Sequence, residues 1–197
     1  MELGYKLILA SASPRRRELL AGLDVDFEVR VMAGIDESYP DELPSEQIPL
    51  YISRKKSSVY KNSMADDELV ITADTVVVCD GRILGKPSNA DDASLMLRML
   101  SGKRHQVVTG VTLATVSKAH SFTVTTDVWF SELSDTEIDY YIKNYRPFDK
   151  AGAYGIQEWI GFVGVERIEG SYFNVVGLPV QRLYRELLMF VNSQAAD

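Results

Sequence analysis

The stretch Leu7-Ile8-Leu9-Ala10-Ser11-Ala12-Ser13-Pro14-Arg15-Arg16 decides how this chain is read. Leu7 to Ala10 is an unbroken apolar run, the pattern of a buried strand. Ser13 is a good helix N-cap, and Pro14 fits the first helical position, where a missing N–H costs nothing. Leu19, Leu20 and Leu23 then recur at helical spacing. The turn between strand and helix also carries chemistry. A helix start presents free backbone N–H groups and the positive end of the dipole. Arg15 and Arg16 put two guanidiniums there, each suited to bidentate phosphate recognition. Arginine at that end opposes the dipole, and an anion between them would remove the conflict. Ser11 and Ser13 have no nearby His or Asp in a triad pattern, so phosphate hydrogen bonding is favoured over nucleophilic attack. An ordinary cap with solvated arginines fits this segment equally well.

Outward from that stretch the elements alternate. Phe27 to Met32 reads as a second strand, and Gly34 to Pro49 as a loop entering a helix with Tyr51, Ile52, Lys55, Lys56 and Val59. Leu69 to Cys79 is β-rich but interrupted by Ala73-Asp74-Thr75, and Asp80-Gly81 predicts a hairpin turn. Ala90 to Leu100 reads as a helix followed by Gly102. Val107 to Val116 and Phe122 to Phe130 predict a long antiparallel pair. Ser134-Asp135-Thr136-Glu137 is a capping box opening a helix with Ile138, Tyr141, Ile142 and Tyr145. A glycine-rich loop spans Ala151 to Gln157, Ile160 to Ile168 reads as a strand, and Leu183, Leu187, Phe190 and Val191 mark a last helix. Hairpins and crossovers together predict an α/β fold with a mixed sheet. No internal repeat or linker divides residues 1–197, so one domain is expected.

The chain has 197 residues, 46% hydrophobic and 25% charged, enough for a sizeable core. A net charge of −7 and a sequence pI near 4.9 exclude generic nucleic-acid binding, which wants a basic face. The single Cys79 lies in the apolar run Val76-Val77-Val78-Cys79 and reads as a buried thiol in a reducing compartment. There is no run of 18 apolar residues and no charged-then-apolar leader, so no membrane partner and a cytoplasmic location are expected.

Asp74 is the strongest single candidate, because a carboxylate inside an apolar strand is costly unless paired, hydrogen-bonded or bound to metal. A strand-end carboxylate capping a loop is the plainer reading. Asp36 and Glu37 follow Gly34-Ile35 in a loop and read as solvated charges by themselves. With Asp74 they could supply the oxygen ligands of a hard cation such as Mg²⁺. Lys86 in Gly85-Lys86-Pro87 is not a Walker A lysine: Gly81 to Gly85 is one residue short, and Pro87 replaces the metal-binding Ser/Thr. No G-x-G-x-x-G is present. His105 is expected to serve structure and His120 to lie in a turn. Cations that neutralise phosphate, with carboxylates that hold a metal and activate water, suit metal-assisted phosphoanhydride hydrolysis.

The ordered motifs resemble one family. Leu9 to Arg16, Ala73-Asp74-Thr75-Val76-Val77, Gly85-Lys86-Pro87, His105-Gln106-Val107-Val108-Thr109-Gly110, Asp149 to Gln157, Gly170-Ser171-Tyr172 and Val175 to Pro179 are similar to those of the Maf-type nucleoside triphosphate pyrophosphatases, in the family's order. The resemblance implies an elongated α/β fold like that of inosine-triphosphate pyrophosphatases, with two lobes and a central cleft. It implies hydrolysis of a nucleoside triphosphate to the monophosphate and pyrophosphate with a divalent cation, Mg²⁺ or Mn²⁺. Asp74 matches the proton acceptor, with Glu37 and Asp74 at the metal. Ser11, Ser13, Arg16, Lys56 and Lys86 fall at the phosphates, and Arg15, Thr75 and Gln157 match positions linked to substrate choice. The branch acting on dTTP and UTP resembles Ser-Pro-Arg-Arg, Ala-Asp-Thr and Gly-Ile-Gln as found here, whereas the 7-methyl-GTP branch carries Trp, Gln and Glu at the three variable places. Lys55 stands where relatives often carry Glu, and Asn89 where Asp is common. The family often forms homodimers. A non-catalytic nucleotide-sensing regulator of cell division is the rival expectation, which the base Asp74 disfavours.

Overall fold

The computed structural model describes residues 3–192. Its strands are β1 (Lys6–Leu9), β2 (Phe27–Val29), β3 (Glu68–Cys79), β4 (Arg82–Leu84), β5 (Arg104–Ala114), β6 (Ala119–Phe130) and β7 (Val165–Glu169). Its α-helices are α1 (Pro14–Ala21), α2 (Ile48–Tyr60), α3 (Ala90–Leu100), α4 (Asp135–Tyr145), α5 (Trp159–Gly164), α6 (Tyr172–Val176) and α7 (Val180–Asn192). The fold is α/β with a mixed seven-stranded sheet in the order β2-β1-β3-β5-β6-β7, and β4 pairs with β3. β1 runs parallel to both β2 and β3, whereas β3–β4 and β6–β7 are antiparallel. No helix among the described residues is long and apolar enough to cross a membrane.

Packing divides the chain into two compact units. One comprises Met1–Asp74, Thr109–Val124 and Gly177–Asp197, and the other Thr75–Val108 and Thr125–Val176. In the first, Leu7 and Leu9 of β1, Leu69 and Ile71 of β3, and Val111 and Leu113 of β5 pack with Leu20 of α1 and Leu183, Leu187 and Phe190 of α7. The alternate positions Ile8 and Val70 face the other way and pack with Tyr60 of α2. β1 is thus buried on both faces, which is why its sequence is apolar without alternation. α2 lies close on this sheet because Gly110 has no side chain: a Cβ there would stand 2.3 Å from the Leu50 backbone nitrogen.

The second unit has its own core, with Val77 and Cys79 of β3, Leu97 and Leu100 of α3, Val128 and Phe130 of β6, and Ile138 and Tyr141 of α4. Cys79 is a free thiol with 1% exposure, and burial raises its pKa. Asn89 caps α3 by accepting from the Asp92 N–H (2.9 Å), and Ser134 and Glu137 complete the expected capping box on α4.

Three local expectations are corrected. β3 is not interrupted at Ala73-Asp74-Thr75 but runs straight through, because Asp74 finds a cation (below). Residues 160–168 are not one strand: α5 occupies the first part and β7 begins at Val165. Successive bonds from Glu158 N–H to Gly155 O and from Gly161 N–H to Glu158 O, both 2.9 Å, wind the chain, and Gly161 admits the coil, since a Cβ there would meet the Ile156 carbonyl oxygen at 1.8 Å. His120 is on β6 rather than in a turn. The β5–β6 connection closes early, with Thr115 N–H donating to Lys118 O at 2.9 Å, and the His120 Nε2 meets Glu186 of α7 at 2.7 Å.

Candidate active site

In the first unit the site is built around the end of β1, the start of α1, one face of α2 and Asp74 of β3. The sheet-facing stripe of α2 contains Ile52 and Tyr60, both buried, and Lys56 lies midway between them at helical spacing. A lysine on such a stripe needs a partner. Its Nζ donates to Asp74 Oδ1 at 2.9 Å and stands 3.0 Å from Glu37 Oε1. Asp74 and Lys56 each keep only 14% of their side-chain exposure, whereas Glu37 keeps 56%. Burial raises the Asp74 pKa above the ordinary carboxylate value, against the pull of the Lys56 ammonium and the Arg16 guanidinium, while the Glu37 charge adds to the rise.

The structure separates the two acidic loop residues. Glu37 turns to Lys56, and Asp36 turns away to Lys55, whose Nζ lies at 2.6 Å. The Asp36 carboxylate also accepts from the Ser38 N–H (2.9 Å) and hydroxyl (2.8 Å), and these bonds, the lysine's first, hold its pKa well below the ordinary value. Lys55 therefore anchors this loop.

Ser13 caps α1 by accepting from the Arg16 N–H (3.4 Å), with Pro14 in the first turn and no acid beside it. Ser11 is buried, and its hydroxyl accepts from the Ser13 N–H at 3.2 Å. Arg15 is half-buried beside Arg16. Arg16 donates from Nε to Gly177 O (2.9 Å) and from Nη1 to Ala73 O (2.8 Å), so it ties α1 to the residue before Asp74. Burial lowers its pKa, though a guanidinium stays charged at any neutral pH.

A divalent cation fits these donors. Asp74 and Glu37 already share one cation, the Lys56 ammonium, and they supply the hard oxygens Mg²⁺ takes when one or two carboxylates act beside substrate phosphates. Among the described residues no group of three or more His, Cys, Asp or Glu could hold a metal ion, so the rest of a coordination shell would be water or phosphate oxygen.

The remaining candidates belong to the second unit. Thr75 follows Asp74 on β3 and is half-buried. Lys86 is exposed in the loop between β4 and α3. Gly152 N–H donates to Gly85 O at 3.0 Å, which pins the Lys86 loop to the segment leading to Gln157. The Gln157 Oε1 is buried and has no hydrogen-bond partner among the described residues. His105 is buried on β5, as expected of a structural residue: Nε2 meets the Tyr154 hydroxyl at 2.8 Å, and burial lowers its pKa to about 4. A cluster the sequence reading did not single out lies beside Gln157, formed by Tyr141, Lys150 and Glu158. Tyr141 reads as plain core from its helical spacing; the signal for more is that a buried phenol needs a partner for its hydroxyl.

Comparison with known proteins gives the family of the chain. The family model described as Maf-like protein matches residues 6–190. A dTTP/UTP pyrophosphatase of Phocaeicola vulgatus is 63% identical over 183 residues, covering 93% of this chain and 95% of its own length. Relatives of the same name in Parabacteroides distasonis and Bacteroides fragilis are 59% and 57% identical, over 94% and 93% of this chain and 96% and 95% of theirs. Among solved structures, a nucleoside-triphosphatase / dITP/XTP pyrophosphatase from Mycobacterium abscessus aligns with a TM-score of 0.44 at 16% identity, covering 97% of each chain. The family match runs from β1 through α7 and so takes in Ser11, Arg16, Glu37, Lys56, Asp74 and Gln157 alike: the chain belongs to the family of Maf-like proteins.

Proposed function

We infer that the chain is a nucleoside triphosphate pyrophosphatase that hydrolyses dTTP and UTP to the monophosphate and pyrophosphate. Family membership and the names of its relatives support this reading. The observation that carries it is the sheltered Asp74 carboxylate, bonded at Oδ1 by Lys56 (2.9 Å) and raised in pKa by burial. Such a carboxylate is a stronger base than an exposed aspartate.

In the mechanism, water attacks the α-phosphorus in line, the bond to the bridging oxygen of the β-phosphate breaks, and pyrophosphate leaves. Asp74 takes the water's proton. Lys56, Lys86, Arg15 and Arg16 offset the charge that builds on the leaving group, and Ser11 and Ser13 hydrogen-bond phosphate oxygens. Glu37 and Asp74 would hold a divalent cation, Mg²⁺ or Mn²⁺, which when bound supplies neutralising charge to the phosphates. Arg15, Thr75 and Gln157 select the base. The Gln157 amide can both donate and accept, and its buried, unpartnered Oε1 suits the N3–H of thymine or uracil. The proposed location is the cytoplasm, where such triphosphates are kept.

Pyrophosphate release from dTTP, UTP, 7-methyl-GTP, ITP and ATP with Mg²⁺ tests the reading, with the Asp74→Asn variant alongside. Release from dTTP and UTP that disappears in the variant is expected. Silence on every nucleotide with tight binding retained would replace the enzyme by a nucleotide sensor.

A further inference from the structure

We propose that Tyr141, Lys150 and Glu158 form a positioning clamp that fixes the two-residue segment Ile156-Gln157 and thereby sets discrimination among nucleobases. The proposal rests on the reading of Gln157 as a base-selecting residue.

The clamp joins both sides of Gln157. On one side Gly155 N–H donates to the Tyr141 hydroxyl at 3.0 Å. The Tyr141 hydroxyl in turn donates to Glu158 Oε2, on the other side. Glu158 Oε1 lies 3.1 Å from Lys150 Nζ, which also meets Asp149 Oδ1 at 2.8 Å. The backbone adds a second link, from Glu158 N–H to Gly155 O at 2.9 Å. A Cβ on Gly155 would stand 3.0 Å from both Glu158 Cδ and Lys150 Cε, so the clamp packs directly on the segment it holds. Between the clamped points lie only Ile156, whose side chain is buried in the core, and Gln157.

Stability alone is a poor reason for this cluster. Tyr141 is fully buried and Lys150 nearly so, and a sheltered ion pair is commonly no more stabilising than apolar residues of the same volume. What the network supplies is direction. Tyr141, Lys150 and Glu158 each meet two partners, and the linked bonds hold the backbone on both sides of Gln157. A side-chain amide that distinguishes bases by hydrogen bonds needs that accuracy, because displacing it leaves the bonds too long to discriminate.

Tyr141→Phe removes one hydroxyl and tests the clamp. The probes are dTTP and 2-deoxyribose 5-triphosphate, which has the same phosphates and no base. Binding of each is measured by calorimetry, and kcat/KM with Mg²⁺ is measured beside it. For dTTP the variant is expected to lose affinity and kcat/KM by about tenfold, the size of one well-made hydrogen bond. For the base-free triphosphate both stay within about twofold of wild type. Equal losses on both probes, or no loss on either, would overturn the proposal, since a purely structural cluster cannot tell the probes apart. Glu158→Gln keeps an acceptor for Tyr141 and removes the ion pair; the same selective loss is expected there, which keeps the test open if Tyr141→Phe does not fold. Wild-type protein with no dTTP or UTP turnover would sink the pyrophosphatase reading separately, while the binding contrast still decides the clamp.

Discussion

Lys56 and Lys150 each hold an ammonium between two carboxylates, one sheltered and one 56% exposed. In the first unit the sheltered acid is Asp74, in the second Glu158. The ion pairs are alike, and what surrounds the acid differs. Glu158 has both oxygens occupied, one by Lys150 and one by the Tyr141 hydroxyl. Among the described residues Asp74 takes its hydrogen bond through Oδ1 from Lys56, and burial raises its pKa. A carboxylate closed on both oxygens can only hold shape. One engaged through a single oxygen, and strained toward protonation, can take a proton or hold a cation. The charge pattern is the same in both clusters; the partners of the second oxygen and the raised pKa of Asp74 are what differ.

The contrast breaks most directly at Asp74. Asp74→Asn keeps the volume and removes the proposed base, so turnover of dTTP should fall roughly a thousandfold while nucleotide affinity changes little. Near-normal turnover would make the two clusters equivalent and remove Asp74 from the reaction. Next in size is Lys150→Met, which leaves a sheltered Glu158 charge uncompensated and should cost about 3 kcal/mol of stability in urea unfolding. The matching Lys56→Met should cost less, because Asp74 can relieve its burial by taking a proton and Glu37 is mostly in water. If Lys56→Met proves the more destabilising, the assignment of roles is reversed.

Lys56→Met instead shows in the kinetics, with a loss of about a hundredfold and a displaced pH profile. The sign follows from the charges. A carboxylate base works only when ionised, so with Asp74 in the proposed role the rate is expected to fall as pH drops through its raised pKa. Removing the ammonium deletes the attraction that favours ionisation and leaves the Glu37 repulsion, so the pKa rises further and the acid limb of kcat/KM moves to higher pH. A limb that stays or moves down contradicts the pairing. The smallest effect belongs to Asp149→Asn at the exposed corner of the second cluster: about 0.5 kcal/mol of stability or less, with dTTP turnover unchanged.

Much of this was legible in the sequence, for reasons that can be stated. The β1–α1 turn was readable because Ser13 and Pro14 are local signals, and the capping box of α4 and the helical spacing of α3, α4 and α7 are equally local. Asp74 stood out because its strand is otherwise apolar. What was not legible depends on partners distant in the chain. The continuity of β3 through Asp74 needed Lys56, 18 residues earlier. The coil at residues 159–164 is set by a glycine against the Ile156 carbonyl, a contact no hydrophobic pattern reports. Asp36 and Glu37 are adjacent acids whose separate duties follow from which of two adjacent lysines each meets. Arg16 could be read as a phosphate ligand, but not as the donor to Ala73 O and Gly177 O.

Cys79 has a practical consequence. It is the one thiol in the chain, it is buried in the core of the second unit, and burial suppresses its thiolate. A thiol-reactive dye can therefore label the native protein only when that core opens, so the labelling rate is a native clock for local unfolding of the second unit, without an engineered probe. Run on the two lysine variants, it would tick faster for Lys150→Met and keep near its wild-type pace for Lys56→Met.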